Sequence, residues 1–299
     1  MDTPQWLDDL MPFERRVVDV DGVGMSVVDD GPRDAEETVV FLHGNPAWSL
    51  LWRHLLGPVK EAGHRVIAPD MIGLGLSEKP LSPAYHALWR HVENLKELIL
   101  KLDLEGITLV LHDWGGPVGM GAAVAMPERI ERIVIANTVA FAPRTQRSLS
   151  RWHKAMASPV GSFFGEHLNL VAHSAFRFGV NERLDPQARK GYLYPFKERG
   201  ARLAAQAMVE MVPDGPDHPT AGTLRKIQAG YHLLQDKPMQ VLWADRDPVM
   251  RPVLARKWQE AFPEADVRHV SETAGHFWQE DDPEPFLDAI LGFVSGGKP

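Results

Sequence analysis

Three residues far apart in the chain carry side chains that together could perform covalent catalysis: Asp113, Asp247 and His276. Asp113 stands in Leu109-Val110-Leu111-His112-Asp113-Trp114-Gly115-Gly116, which reads as a strand turning sharply into a helix. Such an elbow lifts one side chain to the top of a sheet, beside the N-terminus of the following helix. The position usually held by serine holds an aspartate, and Gly115 and Gly116 allow the close packing the turn requires. For Asp113 alone, a helix-capping aspartate is the simpler alternative. Two later segments shift the balance. Trp243-Ala244-Asp245-Arg246-Asp247-Pro248 follows a late strand, and Ala274-Gly275-His276-Phe277-Trp278 follows the last strand-like run, Ala265 to Val270. Nucleophile, acid, histidine is the chain order of enzymes built on this elbow. Strand-end spacing places Asp247 at the loop tip and leaves Asp245 as a turn or ion-pair residue. A fourth piece, Leu42-His43-Gly44-Asn45-Pro46, ends an early strand. The backbone N–H groups of Asn45 and Trp114 would form an oxyanion hole there. The simpler role of that loop is a plain turn, with His43 a hydrogen-bonded structural histidine.

The aspartate constrains the chemistry. A serine nucleophile must lose a proton before it attacks, whereas an aspartate with a pKa of ~3.9 is already ionised at neutral pH. Attack on an ester carbonyl would give a reactive mixed anhydride. Attack on a saturated carbon bearing a leaving group gives an ordinary alkyl ester, so displacement at sp³ carbon is expected. His276, held by Asp247, would then act as base for the water that hydrolyses the ester, and the two backbone N–H groups would hold the oxyanion.

These residues need a scaffold, and the rest of the 299-residue chain supplies the pattern for one. Runs of β-branched and apolar residues occur at 38–42, 65–68, 107–111, 132–136 and, weaker by one glutamine, 239–243. Such runs suit central parallel strands buried on both faces. Helical patterns alternate with them, as at 88–102 and 114–126, which predicts an α/β fold with a mostly parallel central sheet flanked by helices. Residues 13–20 and 24–29 read as an antiparallel hairpin turned at Asp21-Gly22. The rhythm breaks after Ala142-Pro143 and resumes near Lys237. Residues 1–142 and 221–299 are therefore expected to form the core, with 143–220 inserted between two strands as a helical cap. A formal net charge of −8 argues against a nucleic-acid surface and a polybasic membrane patch. The charge runs at 34–37 and 280–282 read as solvated loop or helix-entry residues. With no cysteine, disulfides and thiolate chemistry are excluded. Residues 1–16, acidic and broken by Pro4 and Pro12, do not read as a signal peptide, so a cytoplasmic location is the expectation.

Across nearly its whole length the chain resembles the haloalkane dehalogenases of the α/β-hydrolase fold. The resemblance rests on His43-Gly44-Asn45-Pro46, Asp70-Met71-Ile72-Gly73-Leu74-Gly75-Leu76-Ser77, His112-Asp113-Trp114-Gly115-Gly116, Gly275-His276-Phe277-Trp278-Gln279-Glu280-Asp281 and the cap stretch Tyr192-Leu193-Tyr194-Pro195-Phe196. It implies conversion of a small halogenated hydrocarbon and water to an alcohol and halide ion, with no metal and no organic cofactor. The Asn45 side-chain amide and the Trp114 indole N–H would bind the leaving halide. In some members the acid follows the strand before the cap. Here that strand ends Ala136-Asn137-Thr138, so the chain resembles the branch with an Asp-His-Asp triad and an Asn-Trp halide pair. Another branch takes its second halide donor from a cap tryptophan; the neighbours of Trp152 do not match it, and Trp152 is expected to pack. Trp48 and Trp52 are expected in the helix after the oxyanion loop, as core. Epoxide hydrolases share the Asp-Trp-Gly elbow and are the alternative, with a pair of cap tyrosines as acid. Tyr192 and Tyr194 stand at i, i+2 and so face different sides of a regular element. Chain-length and halide preference and oligomeric state, a homo-oligomer included, are left open.

Overall fold

The computed structural model describes residues 3–146 and 148–296. The strands are Arg15–Val20 (β1), Val23–Asp30 (β2), Thr38–Leu42 (β3), Arg65–Pro69 (β4), Ile107–His112 (β5), Ile130–Ala136 (β6), Met239–Ala244 (β7) and Asp266–Ser271 (β8). They form one sheet in the order β1-β2-β4-β3-β5-β6-β7-β8. β1 and β2 form the expected hairpin, with Asp21 and Gly22 at φ 51° and 77°. Two successive positive φ values give the turn whose twist matches that of the strands. β2 meets β4 antiparallel, and every later pairing is parallel. All residues of β3, β4, β5 and β7 are buried, which explains why these strands read as unbroken apolar runs rather than alternating ones.

Helices Gln5–Leu10 (α1), Arg53–Glu61 (α2), Leu88–Lys101 (α3) and Gly115–Ala125 (α4) precede β6. α3 buries Leu88, His91, Val92, Leu95, Leu98 and Ile99, an i, i+3, i+4, i+7 stripe. α4 is buried from Gly115 to Ala123 and consists there of small and apolar residues, because it is enclosed between the sheet and α3. Trp48 and Trp52 are fully buried core as expected, but Trp48 precedes and Trp52 ends a 3₁₀ turn, Ser49–Trp52, that comes before α2. Between β6 and β7 lie Arg151–Met156 (α5), Pro159–Leu168 (α6), Leu170–Phe178 (α7), Pro186–Leu193 (α8), Arg199–Glu210 (α9) and Pro219–Ala229 (α10). α10 packs onto α3 and α4. Ala255–Ala261 (α11), Trp278–Asp281 (α12) and Pro283–Val294 (α13) complete the chain. Among the described residues, no helix is long and apolar enough to cross a membrane.

The parallel arrangement does one thing for the chemistry. Asp113 directly follows β5, Asn137 directly follows β6, and Asn45, Asp247 and His276 stand a few residues beyond β3, β7 and β8. All five therefore lie at the carboxyl edge of one sheet, where open α/β folds place their ligands.

Candidate active site

Asp113 occupies the left-handed region at φ 48°, the strained backbone that aims an elbow side chain away from the strand. The tight turn leaves no room beside it. A Cβ on Gly44 would fall 2.1 Å from Asp113 Oδ1, and one on Gly115 would fall 2.2 Å from the Leu42 carbonyl. The Asn45 backbone N–H donates to Asp113 Oδ1 at 2.8 Å. Asp113 Oδ2 faces His276 Nε2 at 3.6 Å, and His276 Nδ1 meets Asp247 Oδ2 at 2.8 Å. Asp247 Oδ1 accepts the backbone N–H groups of Val249 (2.7 Å) and Met250 (2.8 Å). Three residues from three separate loops, Asp113, Asp247 and His276, thus form one continuous chain of polar contacts.

Exposure rises along that chain: the side chain of Asp247 is at 0 %, His276 at 5 % and Asp113 at 11 %. Asp113 is the most accessible of the three. Burial opposes charge on all three groups, and their mutual attraction outweighs it. The carboxyl of Asp113 is pulled down to about 2, against burial, by His276, His112 and the Asn45 N–H. Asp247 is likewise held below the usual carboxylate range, against burial, by His276 and the two backbone donors. His276 is raised to about 10, because the charges of Asp247 and Asp113 more than offset its burial. The resting site therefore holds two carboxylates and one imidazolium at neutral pH.

Asp245, the other acid of the late loop, pairs with His269 on the exposed side and lies outside this constellation. His43 donates from Nδ1 to the Gly44 carbonyl (2.8 Å) and accepts the Met71 N–H at Nε2 (2.9 Å), and burial lowers its pKa. It is a neutral residue that shapes the loop. One N–H of the Asn45 amide donates to the Ala205 carbonyl of α9 at 3.0 Å, which orients the group. Among the described residues no hydrogen bond engages the half-buried Trp114 indole N–H. Trp152 donates its own indole N–H to Ser174 (3.1 Å) and packs within the insertion. The Tyr192 hydroxyl donates to Glu280 Oε1 at 2.5 Å, and Tyr194 packs edge-on against Trp6 at 5.7 Å.

Several residues that support the site were not singled out from the sequence. Asn137, read there only as a missing acid, donates to Asp247 Oδ2 (3.0 Å) and to the Ala244 carbonyl (3.1 Å), and accepts the Ala244 N–H (2.9 Å). His112 donates from Nε2 to the His276 carbonyl at 2.8 Å. Burial, then the neighbouring imidazolium, holds its pKa down to about 4, so it stays neutral. The run at 280–282, expected to be solvated, is tied into the protein instead. Glu280 forms a buried ion pair with Arg53, and Asp281 accepts the backbone N–H groups of Asn181, Glu182 and Gly275. Asp282 accepts the Ser271 hydroxyl at 2.6 Å. Arg53 reaches Glu280, and residues 181–182 of the insertion reach Asp281, from distant parts of the chain, which a local charge pattern cannot reveal. Glu37, in the other acidic run, also departs from the expectation, pairing with Arg132 at 3.4 Å and with the Thr108 hydroxyl.

Residues 37–283 match the family described as alpha/beta hydrolase fold. A haloalkane dehalogenase of Mycobacterium marinum is 32 % identical over 94 % of this chain and 94 % of its own. This chain belongs to the haloalkane dehalogenase family of α/β-hydrolases. A "cis-3-alkyl-4-alkyloxetan-2-one decarboxylase" of Xanthomonas campestris is comparably similar, 33 % identical over 91 % of this chain and 93 % of its own. The tetrameric structure of a haloalkane dehalogenase from Paraglaciecola agarilytica NO2 superposes with a TM-score of 0.78 at 25 % identity, covering 97 % of this chain and 96 % of that one. Membership of this family makes the protein an enzyme, with its candidate chemistry at the carboxyl edge of the sheet.

Proposed function

We propose that this enzyme hydrolyses haloalkanes to an alcohol and halide through a covalent Asp113 ester. The observation that carries the reading is an ionised aspartate at the elbow, facing a histidine that is itself backed by a second carboxylate. Asp113 attacks the halogen-bearing carbon as the carbon–halogen bond breaks, and the halide leaves toward the Trp114 indole N–H and the second N–H of the Asn45 amide. Alkylation removes the Asp113 charge, which weakens the hold of His276 on its proton. Neutral His276, oriented by Asp247, then takes a proton from water, and the resulting hydroxide attacks the ester carbonyl. The Asn45 N–H, already on Asp113 Oδ1, and the Trp114 N–H at the start of α4 stabilise the oxyanion. Residues 143–220 act as a cap over this edge, with Ala205 of α9 reaching Asn45. The epoxide alternative loses its acid pair, because the Tyr192 hydroxyl is committed to Glu280 and Tyr194 packs on Trp6.

The decarboxylase relative favours a second reading. In an oxetan-2-one, the ring carbon bonded to the ring oxygen is also sp³, and its leaving group is a carboxylate. Attack by Asp113 there would open the ring to an ester. Loss of CO₂ from the adjacent carbon would form the alkene and expel Asp113, with no water consumed. His276→Gln separates the readings, since this side chain cannot take a proton from water at neutral pH. With 1-bromobutane it should release about one bromide per site and stop, leaving one butyl group on the Asp113 peptide. Absence of that adduct in a folded variant overturns the covalent-carboxylate reading. Steady CO₂ release from a dialkyl oxetan-2-one, without halide release from bromoalkanes by the wild type, transfers the assignment to the decarboxylase.

A further inference from the structure

The helical insertion holds an apolar face in solvent. On α6, Val160, Phe163, Phe164 and Leu168 are exposed at i, i+3, i+4 and i+8, so they form a single stripe. A surface helix ordinarily turns such a stripe inward. α6 turns inward the adjoining side, where Gly161 and Gly165 are buried. A Cβ there would fall 1.9 Å from the Ala155 carbonyl or 2.2 Å from Gln206 Oε1. This close fit fixes the roll of the helix and keeps the stripe outside. On α7, Leu170 and Phe178 are exposed as well; Phe163, Leu168 and Phe178 are 56 %, 62 % and 65 % exposed. An exposed apolar stripe of this kind marks an interaction site.

The charge of the segment that carries it identifies the occupant. Residues 143–190 contain eight Lys and Arg against three Asp and Glu, in a chain whose net charge is −8. Arg151, Lys154, Arg177, Arg183, Arg189 and Lys190 are all exposed, and the Arg177 guanidinium lies 5.5 Å above the Phe178 ring. We propose that α6 and α7 dock this enzyme onto an anionic lipid bilayer. The apolar stripe enters the boundary between headgroups and acyl chains, and the flanking Arg and Lys meet the phosphates. A second copy packed face to face would oppose two basic surfaces, because such a contact pairs each patch with itself. The acidic remainder of the molecule does not prevent docking. Charges are screened beyond a Debye length of about 8 Å, and a domain of this size has a radius of gyration of about 19 Å. Net charge over the whole chain conceals this asymmetry, which is why it pointed away from a membrane. The docking face also borders the candidate active site: Gly179, next after Phe178, accepts the N–H of Phe277, the neighbour of His276, at 3.0 Å.

The test is flotation of the full chain with phosphatidylcholine vesicles, with and without phosphatidylglycerol. The wild type should float with the anionic vesicles, at least tenfold less with phosphatidylcholine alone, and be released by high salt. Phe163→Ser combined with Phe164→Ser should lose about tenfold or more of the partitioning, from the apolar area no longer buried. Thermal unfolding should be unchanged, because both rings are already exposed. Arg177→Glu with Arg183→Glu should abolish the preference for anionic vesicles. Failure of the wild type to float overturns the proposal, including when it runs as an oligomer that Phe163→Ser with Phe164→Ser dissociates, which would make a second copy the occupant. Unaltered flotation of the serine variant overturns it equally.

Discussion

Under the proposed mechanism, alkylation of Asp113 should itself tune the base that completes the reaction, and Asp113→Asn mimics that change without substrate. In the resting enzyme burial opposes charge on His276, yet Asp247 and Asp113 raise its pKa to about 10. The Asp113 share follows from its distance. Unit charges 3.6 Å apart attract by about 4–5 kcal/mol at an effective dielectric of about 20, an upper bound because both groups spread their charge. At 1.36 kcal/mol per pKa unit, removing the anion should lower His276 by about 3 units at most, to ~7. The charged form is useless as a base, so ester hydrolysis should speed up as pH rises through ~7 rather than through 10. Attack by Asp113, whose own pKa is about 2, should be flat over the same range. NMR titration of isotope-labelled imidazoles in the wild type and in Asp113→Asn measures the shift directly. Stopped-flow halide release and steady-state turnover against pH separate the two steps. Equal His276 titration in the two proteins, or a first step that follows the same ionisation as turnover, refutes the reasoning.

Other outcomes follow from the same geometry. Asp247→Asn should remove the anion that holds His276 and slow hydrolysis of the alkyl-enzyme severely, while Asp245→Asn should leave single-turnover kinetics nearly unchanged; the reverse ranking would place the acid wrongly. Asn137→Ala deletes a hydrogen bond to the Asp247 carboxylate, worth about 1.5–3 kcal/mol, so the hydrolytic step should slow by roughly ten- to a hundredfold in rapid-quench measurements while halide release is spared. Glu280→Ala leaves Arg53 buried without its partner and should lower stability by about 3–5 kcal/mol in urea unfolding. His86 and His91 are buried and stacked, and burial lowers their pKa values to about 4 and about 3. Their unfolded forms bind protons below ~6.5 and the folded ones do not, so stability should fall with decreasing pH from there toward 4. The loss should reach about 2.5 kcal/mol per histidine at pH 4.5. The urea midpoint of His86→Gln with His91→Gln should lose part of that pH dependence; an unchanged profile would locate it elsewhere.

The sequence by itself was enough for the strands, the hairpin and the placing of the candidate site residues at strand ends, because each depends on residues near one another in the chain. β3 and β5 are legible as apolar runs since both faces of a central strand are covered. The Asp113 elbow is legible since strand, nucleophile and glycines are contiguous, and the choice of Asp247 over Asp245 follows from counting along one loop. Only the tertiary structure decided what Asn137, His112 and Glu280 do. Asn137 acts on Asp247 from the end of another strand, His112 supports the His276 backbone from the neighbouring element, and Glu280 is buried because Arg53 meets it from α2. The same is true of α6, whose periodicity reveals an apolar stripe but not which way it faces. That direction was settled by the contacts of Gly161 and Gly165 with α5 and α9. Local pattern specifies the backbone course and the reactive groups it carries, whereas burial, pairing and facing are properties of surfaces that come together only once the chain has folded.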